Sequence, residues 1–266
     1  MQMRLKDVRP AQGLRWVRRG FTVFLRHPLA FTAMFAGFLF AALLLMLLPW
    51  VGPIALLASL PLLTLGFMIA THGATQGRAP RIAAFIVPLR GDAARRRALL
   101  QLGLGYALAT FVIVALSDWA DGGKFELLQQ LLASGNVDAA EVAALLGDGQ
   151  LQFGLALRFG LAALLALPYW HAPALVHWAG QGAGQALFSS WLACWRARGA
   201  FVAYTAAWAL VIGVFGIAVN LVFGLLGTPQ LVGFAALPGA LLLSTAFYAS
   251  LFFSFADSFG ASANPV

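Results

Sequence analysis

Residues 28–53 read PLAFTAMFAGFLFAALLLMLLPWVGP and contain no charged side chain. The apolar run 29–48, wound as a helix at ~1.5 Å per residue, is long enough to cross the ~30 Å hydrocarbon core of a bilayer. A Pro49-Trp-Val-Gly-Pro53 turn follows, and then a second uncharged run, 54–70. Two such runs back to back predict a helical membrane hairpin, because in lipid each backbone N–H and C=O must be satisfied inside its own helix. The first run is too long for a cleaved signal, and the turn after it is no small-residue cleavage site, so it is expected to be a retained span.

Working outward, four more long apolar runs lie at 98–116, 155–176, 201–225 and 231–255, of which 155–176 carries one charge, Arg158. The expected fold class is therefore all-α, a polytopic membrane protein with six transmembrane helices. Composition agrees: 61% of the residues are apolar and 10% charged, against roughly 25% charged in a soluble domain. Pro61 and Pro238 fall inside two of the runs, and Pro168 and Pro173 bracket Tyr-Trp-His-Ala in the fourth, where a bend or break is expected.

The few charges are segregated. Residues 1–27 carry seven Lys/Arg against Asp7, and residues 72–97 six Arg against Asp92. Residues 118–153 carry six acids against Lys124, and residues 179–200 carry Arg196 and Arg198. The positive-inside rule then predicts that both termini, 72–97 and 179–200 are cytoplasmic and that 118–153 is periplasmic. The resulting units are 1–28, 29–117 with its basic loop, 118–153, 154–178, 179–200, 201–256 and the tail 257–266. A net charge of +8 would suit nucleic acid if it were gathered in a polar domain. Here it is juxtamembrane, which points to orientation and anionic membrane lipids as partners, and to no nucleic acid.

Two segments read as amphipathic helices at the cytoplasmic interface. In 11–27, Leu14, Val17, Phe21, Phe24 and Leu25 form one stripe, with Arg15, Arg19 and Arg26 on another and Arg18 at the border. These four arginines are the candidate lipid-headgroup contacts. In 183–198, Leu187, Phe188, Trp191, Leu192, Cys194 and Trp195 share a face opposite Ser189, Ser190 and Ala193. Each segment precedes two spans, which suggests a parallel repeat of helix, span, span. The outer segment 118–153 reads as a helical hairpin. Phe125, Leu128, Leu131 and Leu132 give its first apolar face, Ser134-Gly-Asn136 its break, and Asp138-Ala-Ala-Glu141 a capping box for its second helix.

Several stretches together carry a resemblance. They are Arg9-Pro-Ala-Gln-Gly-Leu-Arg-Trp16, Phe24-Leu-Arg-His-Pro-Leu-Ala-Phe31, Val51-Gly-Pro53, Ala172-Pro-Ala-Leu-Val176 and Cys194-Trp-Arg-Ala-Arg-Gly-Ala-Phe201. The chain resembles, over nearly its whole length, an uncharacterised family of six-helix, mostly proteobacterial inner-membrane proteins with no established activity. Arg198-Gly199 stands where the family elbow would hold Asn or Pro. The resemblance implies fold and location and carries over no catalytic or binding residue.

Ionisable and polar groups inside spans are functional candidates by default. Arg158 lies about one turn inside the outer end of the fourth span, where it can snorkel, pair with an acid of 118–153, or meet an anionic solute or lipid. His171 and His177 are six residues apart, on different helical faces, unlike a metal-binding i, i+4 pair. Asn220 shares a face with Gly213, Gly216 and Gly224, and Ala33, Gly37 and Ala41 make a similar strip, as at helix contacts within one chain or between copies. A homo-oligomer or another membrane partner stays open. Cys194 is the one cysteine, so no intrachain disulfide forms, and no cofactor or metal is implied. There is no Gly-x-Ser-x-Gly, His-Glu-x-x-His or Walker loop. The expected function is a non-enzymatic protein that organises the lipid interface or scaffolds partners. The alternative is a small-solute or lipid permease built on the proline-broken fourth span, and a membrane-embedded enzyme ranks third.

Overall fold

The computed structural model describes residues 5–134 and 139–260, and among them there are helices, turns and loops but no strand. Helix α1 (Ala11–Arg26) leads into α2 (Pro28–Met46) and α3 (Val51–Thr75). After two 3-10 turns, Ile82–Phe85 and Val87–Arg90, the chain enters α4 (Ala93–Asp121), then the short helices α5 (Lys124–Ala133) and α6 (Ala139–Leu146). The remainder is α7 (Gly149–Tyr169), α8 (Ala172–Ala179), α9 (Ala183–Arg196), α10 (Arg198–Leu225) and α11 (Val232–Phe259). Six elements are long and apolar enough to span a membrane: α2, α3, α4, α7 with α8, α10 and α11.

Several helices overrun the apolar runs that announce them. Helix α4 takes Arg95, Arg96 and Arg97 into its first turns because Asp92 caps it, accepting the Arg95 N–H at 2.8 Å. That backbone bond is the main reason the Asp92 carboxyl is held below its ordinary pKa. Helix α3 likewise continues to Thr75 and α11 to Phe259. The break expected near Pro168 and Pro173 falls at Trp170–His171, between α7 and α8. At the far end of α4, Gly122 and Gly123 have φ of 65° and 81°. Two successive left-handed residues reverse the chain into α5, a conformation glycine adopts without Cβ strain. Of the expected outer hairpin, α5 and α6 are present. Gly135, Asn136 and the Asp138 half of the capping box lie outside the described residues.

The protein-buried side chains gather at one end of the bundle, called here the base. They come from α1, α8 and α9, the first turns of α2 and α10, residues 63–74 of α3, residues 98–102 of α4 and residues 245–259 of α11. Trp16, Tyr204, Phe31, Phe67, Phe252 and Phe255 are almost wholly enclosed there. The opposite halves of α2, α4, α7 and α10 leave their Leu, Val, Ile and Phe side chains uncovered by protein. Lipid tails are as apolar as leucine and give no hydrophobic drive between spans, whereas segments that overrun the bilayer must bury their apolar surface against protein.

The helix expected at 11–27 is seated against the long helices of the bundle. Gly13 abuts Ala200 and Tyr204, and Phe21 stacks on Trp208 at 5.3 Å, so α1 advances beside α10 in the same direction while packing against α11. The two helix, span, span units also pack differently: α1 seats on α10 and α11, whereas α9 seats on α7 and α8.

Candidate functional site

The seat of α1 follows from two glycines seven residues apart. A Cβ at Gly13 would collide with the Ala200 carbonyl, and one at Gly20 with Ser250 of α11. Glycine there lets helix backbones approach more closely than any side chain allows. Trp16, between them, is wholly buried and edge-on to Phe201 and Tyr204, at ring distances of 5.4 and 5.9 Å. Its Nε1–H donates to Asp257 Oδ2 at 2.8 Å. Arg19 donates to the other oxygen of Asp257 at 3.2 Å and lies 4.2 Å over the Phe253 ring. One carboxylate near the end of α11 thus ties two side chains of α1.

This arrangement splits the four candidate headgroup arginines. Arg19 is paired with Asp257 and its side chain is partly exposed. Arg15, Arg18 and Arg26 are exposed along the outer side of α1, with Leu14 and Leu25 beside them. Those two leucines belong to the apolar stripe read from the sequence, and protein leaves them uncovered. The buried face is instead Gly13, Trp16, Val17, Gly20, Val23 and Phe24.

Helix α9 seats through small residues. Ala186, Ser190, Ala193 and Cys194 are buried, while Phe188, Trp191, Leu192 and Trp195 are left uncovered. Cys194 therefore belongs to the packed face rather than the aromatic one, and burial pushes its thiol up to about 12. Ser190 repairs the α7–α8 break: its hydroxyl accepts the His171 N–H at 3.0 Å and donates to the Leu167 carbonyl at 2.9 Å. Trp191 and Trp195 stack one turn apart on the outer face.

A third surface of the base lies within what reads in the sequence as a plain basic loop. Phe85 inserts where Gly66 of α3 leaves room and packs against Phe67 and Phe38. That anchor folds residues 82–90 back along α3 and leaves Ile82, Ile86, Val87 and Leu89 exposed. Arg78, Arg81 and Arg90 flank them, also exposed. The signal in the sequence is the apolar run Ile82-Ala-Ala-Phe-Ile-Val-Pro-Leu89, which is too short to span.

The remaining candidates lie apart from one another. Arg158 pairs with Asp118, sits 3.9 Å from Asp121, and covers the Phe125 ring at 4.0 Å, fastening α7 to α4 and α5 at the acidic end. Lys124 reaches Asp148 there at 2.6 Å, and this bond is the largest influence lowering the Asp148 pKa. His171 is completely buried among Phe201, Phe255 and Phe259, and neither ring nitrogen has a partner. His177 packs edge-on to Trp178 at 5.4 Å. Asn220 is exposed and donates to Gly216 of its own helix at 2.9 Å, so it makes no interhelical bond within the chain. Among the described residues no three of His, Cys, Asp and Glu stand together as metal ligands.

A cavity of about 150 Å³ lies between α3, α4, α7 and α11, and none of Arg158, His171, His177 and Asn220 lines it. Its polar groups come from Thr64, Tyr106, Tyr169 and Tyr248, beside Pro61 and Trp170.

This chain is 30% identical, over 268 aligned residues, to a probable inner membrane protein of Burkholderia thailandensis, with 97% of this chain and 94% of the relative covered. The chain belongs to that protein's family. Six apolar helices and an inner-membrane relative of matching length make it an integral, multi-pass inner-membrane protein. No family profile matches the chain. No solved structure matches it either. The family thus brings location and no site, and the residues described above carry the functional argument.

Proposed function

We propose that the protein is a non-enzymatic organiser of the anionic lipid interface, with its base and both termini on the cytoplasmic side. The observation that carries this reading is the fixed seat of α1, which holds Arg15, Arg18 and Arg26 outward beside Leu14 and Leu25. The uncovered aromatic face of α9 and the exposed apolar residues of 82–90 belong to the same base and support it. Basic residues near an anionic surface contribute roughly 1 kcal/mol each, and apolar side chains add insertion energy. The orientation rests on the charge segregation of the loops. The test is phosphatidylglycerol copurifying with the wild type and with Arg15→Glu/Arg18→Glu/Arg26→Glu. The variant is expected to lose part of the enrichment over phosphatidylcholine, and unchanged enrichment refutes the reading.

One observation favours a second reading, a small-solute permease. The tyrosine-lined cavity abuts Pro61 and the α7–α8 break, and transporters place sites at interrupted helices. None of its lining residues is charged at neutral pH, so it suits a small neutral solute. Uptake of such solutes into proteoliposomes, abolished by Tyr106→Trp, would support this reading, and equal flux in protein-free liposomes removes it.

A further inference from the structure

The groove beside residues 76–92 is built differently from the rest of the base. It measures about 530 Å³, within the range of roughly 300–1,000 Å³ typical of ligand sites. Ile69, Ala70 and Gly73 of α3 form one wall, and Ala83 and Val87 of the folded-back segment form another. Arg78 and Arg81 stand on its lining. Arg19, Arg95, Arg158 and Arg196 each pair with an aspartate. Arg78 and Arg81 have no acidic partner among the described residues, and Arg78 bonds only the neutral Gln76. Two uncompensated guanidinium groups over an apolar trough match an amphiphile with an anionic head, since Arg binds phosphate oxygens bidentately.

We propose that this groove binds a single anionic phospholipid of the surrounding leaflet, its phosphate held by Arg78 and Arg81 and its upper acyl chain laid along Ile69 and Val87. The inference rests on the reading of the base as a lipid interface and assigns that function a defined site. Ile82 and Ile86, exposed on the same folded-back segment, would meet acyl chains beside the groove. Phe85, seated at Gly66, keeps the trough from collapsing by pinning the segment to α3.

Gly73 offers a test independent of charge. A Cβ there meets only the Arg78 side chain, at 3.8 Å and beyond, so Gly73→Leu is expected to place its bulk in the groove. The experiment is native mass spectrometry of delipidated protein titrated with dioleoyl phosphatidylglycerol or phosphatidylcholine. Wild type is expected to take up one phosphatidylglycerol at least tenfold more tightly than further copies or than phosphatidylcholine. Both Arg78→Ala/Arg81→Ala and Gly73→Leu should remove that first tight step, while Arg15→Glu/Arg18→Glu/Arg26→Glu keeps it and loses the weaker ones. Groove variants that bind like wild type overturn the proposal, and if the α1 variant still loses lipid the broader reading stands. Loss in neither set overturns both. Displacement of the tight lipid by millimolar glycerol phosphate also overturns the proposal, because it would mark a site for the free anion.

Discussion

Replacing Asp257 by alanine should release α1 from the bundle, and the structure says by how much. Two bonds are lost, and they are unequal. Trp16 is fully buried, so its indole N–H is left without a partner, at a cost of about 1–3 kcal/mol. The side chain of Arg19 is 39% exposed and can turn to water, so the ion pair contributes no more than about 1 kcal/mol. A total near 2 kcal/mol, almost all of it through Trp16, corresponds to a roughly thirtyfold rise in local opening. Amide hydrogen exchange across 11–26 reads that opening directly, and the exchange of α5 serves as the internal reference. Asp257→Asn keeps a neutral acceptor for the indole and should fall between the wild type and the alanine variant. Arg19→Ala should raise exchange only a few-fold. If Arg19→Ala opens α1 as much as Asp257→Ala does, the ion pair and not the buried indole holds the helix, and the reasoning fails.

Three further outcomes are expected. Gly20→Leu must push α1 off Ser250 and so should lower the unfolding midpoint sharply, while Gly160→Leu, which has open space beside it, should leave the midpoint near the wild-type value. Cys194, with its thiol raised to about 12, should react with maleimide at pH 8 on the order of a thousandfold more slowly than a free cysteine of pKa ~8.5, and at the ordinary rate once the protein is unfolded. The Asp148 carboxyl, depressed first by Lys124, contributes stability above its unfolded pKa of ~3.9 that is lost as pH falls through its lower folded value. An NMR titration should therefore place its midpoint below ~3.9 in the wild type and move it upward in Lys124→Ala.

The spans were legible because hydropathy over some twenty residues is a strong signal that tertiary context seldom overrides. Helix ends were less so: Arg95, Arg96 and Arg97 look like the edge of a loop, yet a single capping carboxylate carries the helix through them. The face on which α1 seats has no sequence signal for a physical reason. Glycine contributes nothing to a hydrophobic stripe, so Gly13 and Gly20 give no sign of being the contact. The tie from Trp16 to Asp257 crosses 241 residues, and no local pattern encodes it. Residues 82–89 fell between two recognisable lengths, too short for a span and too apolar for a loop. The polar groups of the central cavity were invisible because tyrosines scattered over three helices meet only in three dimensions.

The position of α1 between α10 and α11 has a consequence for biosynthesis. The helix is made first, but its seat includes Ser250 and Asp257, which are made last. At roughly 5–20 residues per second, the 241 residues between Trp16 and Asp257 take about 12–48 s to synthesise. Until Phe201 and Tyr204 of α10 are made, Trp16 lacks its ring partners, and the membrane surface, which an amphipathic helix can wet, is the natural holding place. Closure of the base is therefore a late event of assembly, and a ribosome stalled before α11 leaves α1 with its α10 contacts but without Ser250 and Asp257.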